Sequence, residues 1–271
     1  MESKITRTYD FFEHVHNIDF DNLLVNGSNL ADMPLTHKLE WHKAEKILET
    51  GEIKVEKCDV FRDEKLAYFF YGRPAYAIAN GKGVRHDNYY FPVCFILKAD
   101  SVNINKVFPF DSGAYALGMY DGFIHHEMDI NDFSINPTIA SIKTFIEYFY
   151  GENDRYYKNI IRQIDQTDEL KNETNAYINL VSNRGEEKFD ERCSTVEIIS
   201  KCDVQISNSL LALILPNDIA RKNEHVKSLH SRGIDILTYD TFGGAPSSYN
   251  GVIRQIMYDY LCKKRIILCD K

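Results

Sequence analysis

The segment Leu66–Tyr76 constrains the fold most, because an unbroken aromatic run meets a turn within it. The run Tyr68–Tyr71 is typical of a β-strand, since aromatic side chains are enriched in strands. Gly72 and Pro74 follow at once, and both residues favour a change of chain direction. The sequence therefore predicts a strand that ends in a sharp turn, with Arg73 at the corner and aromatic residues on either side.

An arginine at such a corner suits a planar, anionic ligand. Its guanidinium presents a fixed fork of donors to phosphate or carboxylate groups, and tyrosine faces offer a stacking surface for a cationic ring. A nicotinamide dinucleotide has all of these features. The alternative is a buried aromatic strand in which Arg73 pairs with a structural carboxylate, and this segment alone is compatible with both interpretations.

An earlier segment predicts a short strand followed by a helix. Apolar residues recur at helical spacing in its second half, at Trp41, Ala44, Ile47 and Leu48. Gly51 is a suitable cap for the C-terminus of that helix. The pattern predicts that His37, which follows Thr36, ends the strand just before the helix.

A carboxylate interrupts an apolar, strand-like segment late in the chain. Glu197 is followed by Ile198 and Ile199 and preceded by Val196. A glutamate in such a segment usually faces solvent on an edge strand. It can instead project into a cleft, and function is then the readiest explanation for a single carboxylate among apolar neighbours.

The order of these three motifs resembles that of the ADP-ribosyltransferase superfamily, and most closely that of the DarT-type toxins, which modify nucleic-acid bases. Those proteins contain a Thr-His before a helix that ends in glycine, an aromatic segment with Gly, Arg, Pro and Tyr, and a late Glu-containing strand. The matching segments here are Thr36–Gly51, Tyr68–Tyr76 and Ser194–Ile198. Together these three segments comprise 30 of the 271 residues.

The resemblance implies an α+β fold with a split, mixed β-sheet core and flanking helices. In that fold NAD binds in a cleft between two half-sheets. It also implies one ADP-ribosyltransferase-like domain over residues 1–271, with residues 1–34 as an N-terminal lead.

The resemblance further implies the roles of individual residues. NAD is the expected substrate, and no metal is expected. Glu197 would stabilise positive charge on the ribose and take the proton of the acceptor. Arg73 would contact the diphosphate or activate the acceptor. The residues expected to bind NAD are Thr36, His37, Tyr68, Tyr71, Arg73 and Tyr76.

The expected acceptor is a macromolecule, with a base of single-stranded DNA or RNA as the favoured choice. Toxin or phage-defence activity and a cognate antitoxin follow from the same resemblance. Arginine as the acceptor is disfavoured, because Thr195 stands where arginine-modifying relatives have Glu or Gln. Protein modification, NAD glycohydrolysis and an inactive domain that binds a nucleotide or a partner are the alternatives.

The net charge of −8 argues against a wide, nonspecific nucleic-acid surface, because such binding depends on neutralising phosphates with Lys and Arg. The net charge does not exclude binding of nucleic acid in a narrow cationic groove. Lys65, Lys82 and Arg85, together with Arg73, would guide a single strand.

Composition and length predict a cytoplasmic protein. No apolar run approaches the roughly 20 residues of a membrane span, and no secretory apolar core follows Met1. The six cysteines form no Cys-x-x-Cys pair, so each is expected to be reduced and to pack as a small apolar side chain.

The other apolar patterns predict strands and helices without strict alternation, which favours the α+β class. The predicted strands lie at 92–98, 210–215, 234–239 and 265–269. The predicted helices lie at 137–150, 156–181, 218–230 and 248–262. Residues 107–114 are expected to form a turn-rich loop, in which Phe110–Gly113 is either a pocket wall or an ordinary turn. His125-His126-Glu127 lacks the spacing of a zinc site.

Overall fold

The computed structural model describes residues 28–76, 88–164, 172–182 and 191–268. In these ranges the protein combines a mixed, multi-strand β-sheet with several helices, which agrees with an α+β class. Most of the predicted N-terminal lead, residues 1–27, lies outside the described residues.

Short strands and short helices follow one another along the chain. The strands are β1 (Leu35–Glu40), β2 (Glu52–Ile53), β3 (Glu56–Lys57), β4 (Lys65–Tyr71), β5 (Pro92–Leu97), β6 (Lys106–Phe108), β7 (Glu197–Ser200), β8 (Val204–Gln205), β9 (Leu210–Pro216) and β10 (Asp235–Tyr239). The helices are α1 (Trp41–Thr50), α2 (Ser112–Ala116), α3 (Ile139–Tyr150), α4 (Asn153–Tyr157), α5 (Asn172–Ser182), α6 (Ile206–Ser209), α7 (Asn217–Lys222), α8 (Glu224–Ser231) and α9 (Asn250–Lys263). Across the described ranges, none of the helices has the length and apolar character that a membrane span requires.

The described residues group into two compact units, each built from separate stretches of chain. The Glu197 unit contains residues 28–32, 55–68, 103–164, 172–182 and 191–201. The Arg73 unit contains residues 33–54, 69–76, 88–102 and 202–268. The boundary falls within β4, so this strand contributes residues to both units. The single domain over residues 1–271 stays a prediction.

The Arg73 unit is organised around β5. The strand order is β10-β9-β5-β1-β4, with β9 and β10 parallel and the other pairs antiparallel. Every residue of β5 is buried, as expected for an entirely apolar strand with a neighbour on each side. β1 pairs with β5 along its whole length, from Leu35 opposite Leu97 to Glu40 opposite Pro92. The backbone that carries Thr36 and His37 is therefore firmly placed.

The Glu197 unit contains the strand order β4-β7-β6 and the helices α2 to α5. β6 and β7 are antiparallel, with Phe108 opposite Glu197. Aromatic residues of α3 and α5 form much of its core, and the Phe149 ring lies 5.0 Å from that of Tyr177 in an edge-on arrangement. Such packing contributes free energy beyond simple burial and stabilises the helices α3 and α5.

Several sequence predictions are confirmed. β1 leads into α1, and Gly51 ends that helix with φ of 74° and an N–H that donates to the Ile47 carbonyl at 2.8 Å. The observed β5, β9, β10, α3 and α9 lie within a few residues of their predicted bounds. Apolar periodicity was sufficient for these elements, because each buries one continuous apolar face or run.

Four predictions of local structure are wrong, in three cases because a residue breaks a continuous pattern. The helix at 156–181 is instead α4 and α5, since Asn159 is left-handed at φ 54° just after α4. Asn223 is extended and divides the helix at 218–230 into α7 and α8. Arg265, with φ of 59°, ends the last helix, and residues 265–268 form no strand. Residues 107–114 were predicted to form a loop, but they include most of β6 and the start of α2.

The cysteines differ in part from the expectation. Cys58, Cys94 and Cys193 are buried thiols, whereas the Cys202 thiol is exposed. Cys262 is disulfide-bonded, so the prediction that each cysteine is reduced is wrong for this residue.

Candidate functional site

Glu197 is the first residue of β7 and is 2% exposed. Its strand lies between β4 and β6, so the usual arrangement of a solvent-facing carboxylate on an edge strand does not apply. Glu197 Oε2 accepts the backbone N–H of Ser112 at 3.1 Å. A buried carboxyl that is hydrogen-bonded at one oxygen keeps further lone pairs for another donor.

The position of Ser112 follows from the way α2 begins. Asp111 caps this helix, and its Oδ1 accepts the N–H of Ala114 at 2.6 Å. The first N–H groups of a helix have no partner inside the helix, so that of Ser112 is available to Glu197. The Asp111 backbone N–H is held by the Arg192 carbonyl at 3.0 Å. Asp111-Ser112-Gly113 is thus the start of a helix that contacts Glu197, not an ordinary turn, and its role as a pocket wall stays a prediction.

Burial raises the pKa of Glu197 well above its ordinary value, and the nearby Asp111 carboxylate raises it further. The Ser112 hydroxyl, the Ser112 N–H and the positive charge of Arg192 act in the opposite direction. Desolvation is the largest of these effects. Burial and Asp111 therefore favour the neutral form of Glu197, whereas Ser112 and Arg192 favour its ionised form.

Tyr68 lies close enough to Glu197 to respond to its charge. Burial raises the pKa of the Tyr68 hydroxyl, and the negative charge of Glu197 raises it further, so the hydroxyl stays protonated. Its oxygen lies 2.7 Å from Cys58 Sγ, which also accepts the N–H groups of Val60 at 3.2 Å and Phe61 at 3.1 Å. The Glu197 cluster is defined here as Glu197, Ser112, Asp111, Arg192, Tyr68 and Cys58.

The backbone just before Glu197 is fixed by side chains from other segments. The Tyr156 hydroxyl accepts the Val196 N–H at 3.0 Å. The Tyr150 hydroxyl contacts the Ser194 carbonyl at 3.5 Å and the Tyr177 hydroxyl at 2.7 Å. The aromatic packing of α3, α4 and α5 therefore sets where β7 begins.

Thr195, the residue expected to disfavour arginine as acceptor, is fully buried. Its Oγ1 donates to the Glu191 carbonyl at 2.6 Å. The hydroxyl is thus engaged with the backbone of its own loop.

In the Arg73 unit, the end of β4 is held by several hydrogen bonds. Thr36 Oγ1 donates to the Arg73 carbonyl at 2.8 Å and lies 3.2 Å from the Phe70 carbonyl. The Gly72 N–H donates to the Pro34 carbonyl at 2.8 Å, and Gly72 has a φ of 69°, which favours glycine. The predicted turn with Arg73 at its corner is confirmed, and the Arg73 side chain is 0% exposed.

Tyr71, His37 and Tyr76 differ in their surroundings. The Tyr71 hydroxyl accepts the Met33 N–H at 2.9 Å, and its side chain is fully buried. The half-buried His37 ring lies 5.4 Å from Phe69 and 6.5 Å from Phe95. Tyr76 is 46% exposed.

The prediction that His37 ends its strand is wrong, because β1 continues to Glu40 through its pairing with β5. Lys65 is exposed at the start of β4, whereas Lys82 and Arg85 lie outside the described residues.

The structure thus places Tyr68 with Glu197 and groups Thr36, Tyr71 and Arg73 around one turn. Sequence reasoning did not identify Arg192 or Cys58, and it left Ser112 undecided. The Asp111-Ser112-Gly113 sequence carries a local signal for this region, because aspartate is a favoured N-cap residue of helices, but sequence reasoning did not use it. Among residues 28–76, 88–164, 172–182 and 191–268, no group of three or more His, Cys, Asp or Glu side chains is arranged to hold a metal.

Neither a scan of protein-family models nor a search of curated proteins finds a match to this chain. The interpretation of the site therefore depends on the residues themselves.

Proposed function

We propose that the protein is an NAD-dependent ADP-ribosyltransferase that transfers ADP-ribose to a macromolecule, with an unpaired nucleic-acid base as the favoured acceptor. The observation that carries the proposal is the burial of one hydrogen-bonded carboxylate, Glu197, at the start of an otherwise apolar strand. A buried carboxyl with a raised pKa lowers the stability of the folded protein, and such groups are concentrated at functional sites. The order of the three sequence motifs supports the same activity.

The proposed reaction breaks the bond between the nicotinamide nitrogen and the anomeric carbon of the ribose. Neutral nicotinamide leaves, and positive charge develops on the sugar ring. The Glu197 carboxylate would hydrogen-bond a ribose hydroxyl and stabilise that charge, which is most effective in a site that excludes water. The acceptor atom then bonds to the anomeric carbon, and Glu197 takes its proton.

Glu197 has to be ionised to act in this way, although its burial favours the neutral form. The nicotinamide ring of NAD carries a positive charge, and a positive charge nearby lowers the pKa of a carboxyl. Arg192 and Ser112 already act in the same direction. We therefore assign part of the ionisation of Glu197 to the bound substrate itself.

The other residues divide into ligand-binding and supporting roles in this proposal. His37, Tyr68, Tyr76 and Arg73 would contact NAD. The hydroxyls of Thr36 and Tyr71 bond to backbone atoms, so these two residues would act by shaping the turn around Arg73. The complete burial of Arg73 also suits the alternative in which it stabilises this turn.

The proposal is tested with NAD labelled in its ADP-ribose part. The label is followed into single-stranded DNA, single-stranded RNA or the protein fraction of a lysate, and release of nicotinamide is measured in parallel. We expect label on single strands. Glu197→Gln should lower turnover by about 10²–10³-fold, because it removes one electrostatic stabiliser of the transition state. Glu127→Gln, which changes an exposed carboxylate of the same unit, is the matched control.

The other outcomes each identify an alternative. Label on protein alone would indicate a protein-modifying enzyme, and nicotinamide release without labelled macromolecule would indicate a glycohydrolase. Binding of NAD with no release would indicate an inactive domain. Turnover of Glu197→Gln equal to that of the wild type would overturn the role of Glu197.

A further inference from the structure

A pocket of about 510 Å³ opens at the end of α3 in the Glu197 unit. It is lined by Tyr150, Gly151, Glu152, Arg155, Arg162 and Gln163. None of these residues belongs to the Glu197 cluster. The guanidinium groups of Arg155 and Arg162 both line this pocket, so two positive charges lie in its wall.

Each guanidinium is anchored to the backbone through one nitrogen. Arg155 Nη2 donates to the Ile161 carbonyl at 3.0 Å, and Arg162 Nη1 donates to the Glu147 carbonyl at 3.3 Å. Over the described ranges, neither arginine forms an ion pair with a carboxylate, and the buried Nε of Arg155 has no hydrogen-bond acceptor. Both side chains are therefore held in place with donors to spare.

The chain around the pocket supports this arrangement. Gly151 has a φ of 86°, and a Cβ at this position would lie 3.3 Å from Arg162 Cδ, so the glycine leaves room for the arginine stem. The exposed Glu152 carboxylate also lines the pocket, but it pairs with neither arginine in the part of the chain that the structure covers. The lining keeps a net positive charge, because two cations stand against one anion.

We infer that this pocket binds a phosphate group, and that the phosphate belongs to the single-stranded nucleic acid that accepts ADP-ribose. Arginine donors match phosphate oxygens in geometry and charge, and a buried unsatisfied donor gains most from such a partner. The choice of a nucleic-acid strand rests on the proposed function.

The pocket is linked to the backbone that carries Glu197. Tyr150, in its wall, contacts the Ser194 carbonyl, and Tyr156, next to Arg155, accepts the Val196 N–H. A strand held at the pocket would therefore lie against the same aromatic support that positions Glu197.

The test measures direct binding of a fluorescent oligothymidine of about 12 nucleotides to the full chain without NAD. Arg155→Gln and Arg162→Gln should each weaken binding about tenfold. Each should also reduce the slope of log affinity against log salt by about 0.7 for every phosphate that the variant no longer binds. Arg221→Gln removes the same charge from an exposed position in the Arg73 unit and should leave binding unchanged.

Two variants change the pocket charge without removing an arginine. Gln163→Glu should weaken binding, and Glu152→Gln should strengthen it, since that glutamate precedes α4 without capping it through its side chain. Thermal midpoints of all variants show that folding is intact. If both arginine variants and Gln163→Glu bind as the wild type does, the inference is overturned.

Competition distinguishes the source of the phosphate. Inorganic phosphate and AMP should displace the oligonucleotide only at far higher concentrations. If either binds the pocket as tightly as the strand does, with the same dependence on Arg155, the nucleic-acid source is overturned. Because NAD is absent, failure of the transferase proposal would appear in the labelling experiment and leave this measurement unaffected.

Discussion

At the scale of single residues, Glu197 combines two opposing requirements. A buried carboxyl prefers to be neutral, whereas the proposed stabilisation of a developing cation requires a charge. Ser112 and Arg192 reduce the cost of that charge, but burial and Asp111 keep the pKa raised. Stability and activity are therefore expected to be in conflict at this position.

Glu197→Gln should consequently stabilise the fold while it abolishes most turnover. The folded state holds the Glu197 proton more tightly than the unfolded state, so wild-type stability falls as pH rises from about 4.5 towards the raised pKa. The glutamine has no such pH dependence. We expect a gain of about 0.5–2 kcal/mol at about pH 8 and a smaller gain at about pH 5.

Urea unfolding at both pH values measures these gains, with Glu127→Gln, at an exposed position, as the control. An equal gain at both pH values would show that Glu197 is not the group that binds the proton.

At the scale of secondary-structure elements, the turn after β4 is the most constrained connection in the Arg73 unit. Gly72 is left-handed, and a Cβ on it would lie 2.6 Å from Met33 Cε, in a side chain that is itself fully buried. The Thr36 hydroxyl donates a hydrogen bond to the carbonyl of Arg73, the residue that follows Gly72. The position of Arg73 therefore depends on the absence of a side chain at residue 72.

Gly72→Ala should destabilise the protein more than Gly51→Ala does. Both glycines have positive φ, so each substitution costs about 1–2 kcal/mol in backbone conformation. Only residue 72 meets a buried neighbour, which adds about 1–3 kcal/mol from overpacking. Denaturant unfolding of both variants measures the difference. Met33→Ala should recover part of the loss in a double variant with Gly72→Ala. Equal losses for the two glycines would contradict the proposed contact.

Elements with one clear periodic face could be predicted from the sequence, whereas their interruptions could not. The strand β5 and the helix α3 follow directly from apolar runs and spacing. Asn159 and Asn223 end helices through their own backbone conformations, which apolar periodicity does not encode.

The site shows the same limit. Glu197 was identifiable as an unusual carboxylate, but its contact with Ser112 spans 85 residues and depends on tertiary structure. No local pattern specifies such a contact.

At the scale of the whole molecule, the net charge of −8 limits how the protein can bind the nucleic acid that we propose as its acceptor. Long-range attraction to phosphates is weak for an acidic protein, so affinity has to come from a few local contacts and from the base itself. Candidates for those contacts are Lys65, Lys82 and Arg85, together with the pocket at Arg155 and Arg162.

Modification should be strong on single strands and weak on duplexes of the same sequence. A base inside a duplex has to be extruded before it can reach the anomeric carbon, and this costs a few kcal/mol. Transfer of labelled ADP-ribose to a single strand, a duplex and a duplex with one unpaired base measures the effect. We expect the unpaired base to restore transfer. Charge reversal at Lys82 or Arg85 should reduce the transfer of ADP-ribose to each of these substrates. Equal transfer to all three substrates would contradict an unpaired acceptor.

The hydrogen bond from the Val196 N–H to the Tyr156 hydroxyl has a consequence for mutational tolerance. The backbone next to Glu197 is held by one phenol group that is 40 residues distant in the sequence. Under the proposed function, sequence drift in the aromatic core of α3, α4 and α5 would therefore be restricted by the proposed reaction as well as by packing. Residues that do not contact a substrate would then tolerate few substitutions. A substitution in this aromatic core would lower activity although it lies far from the Glu197 carboxylate.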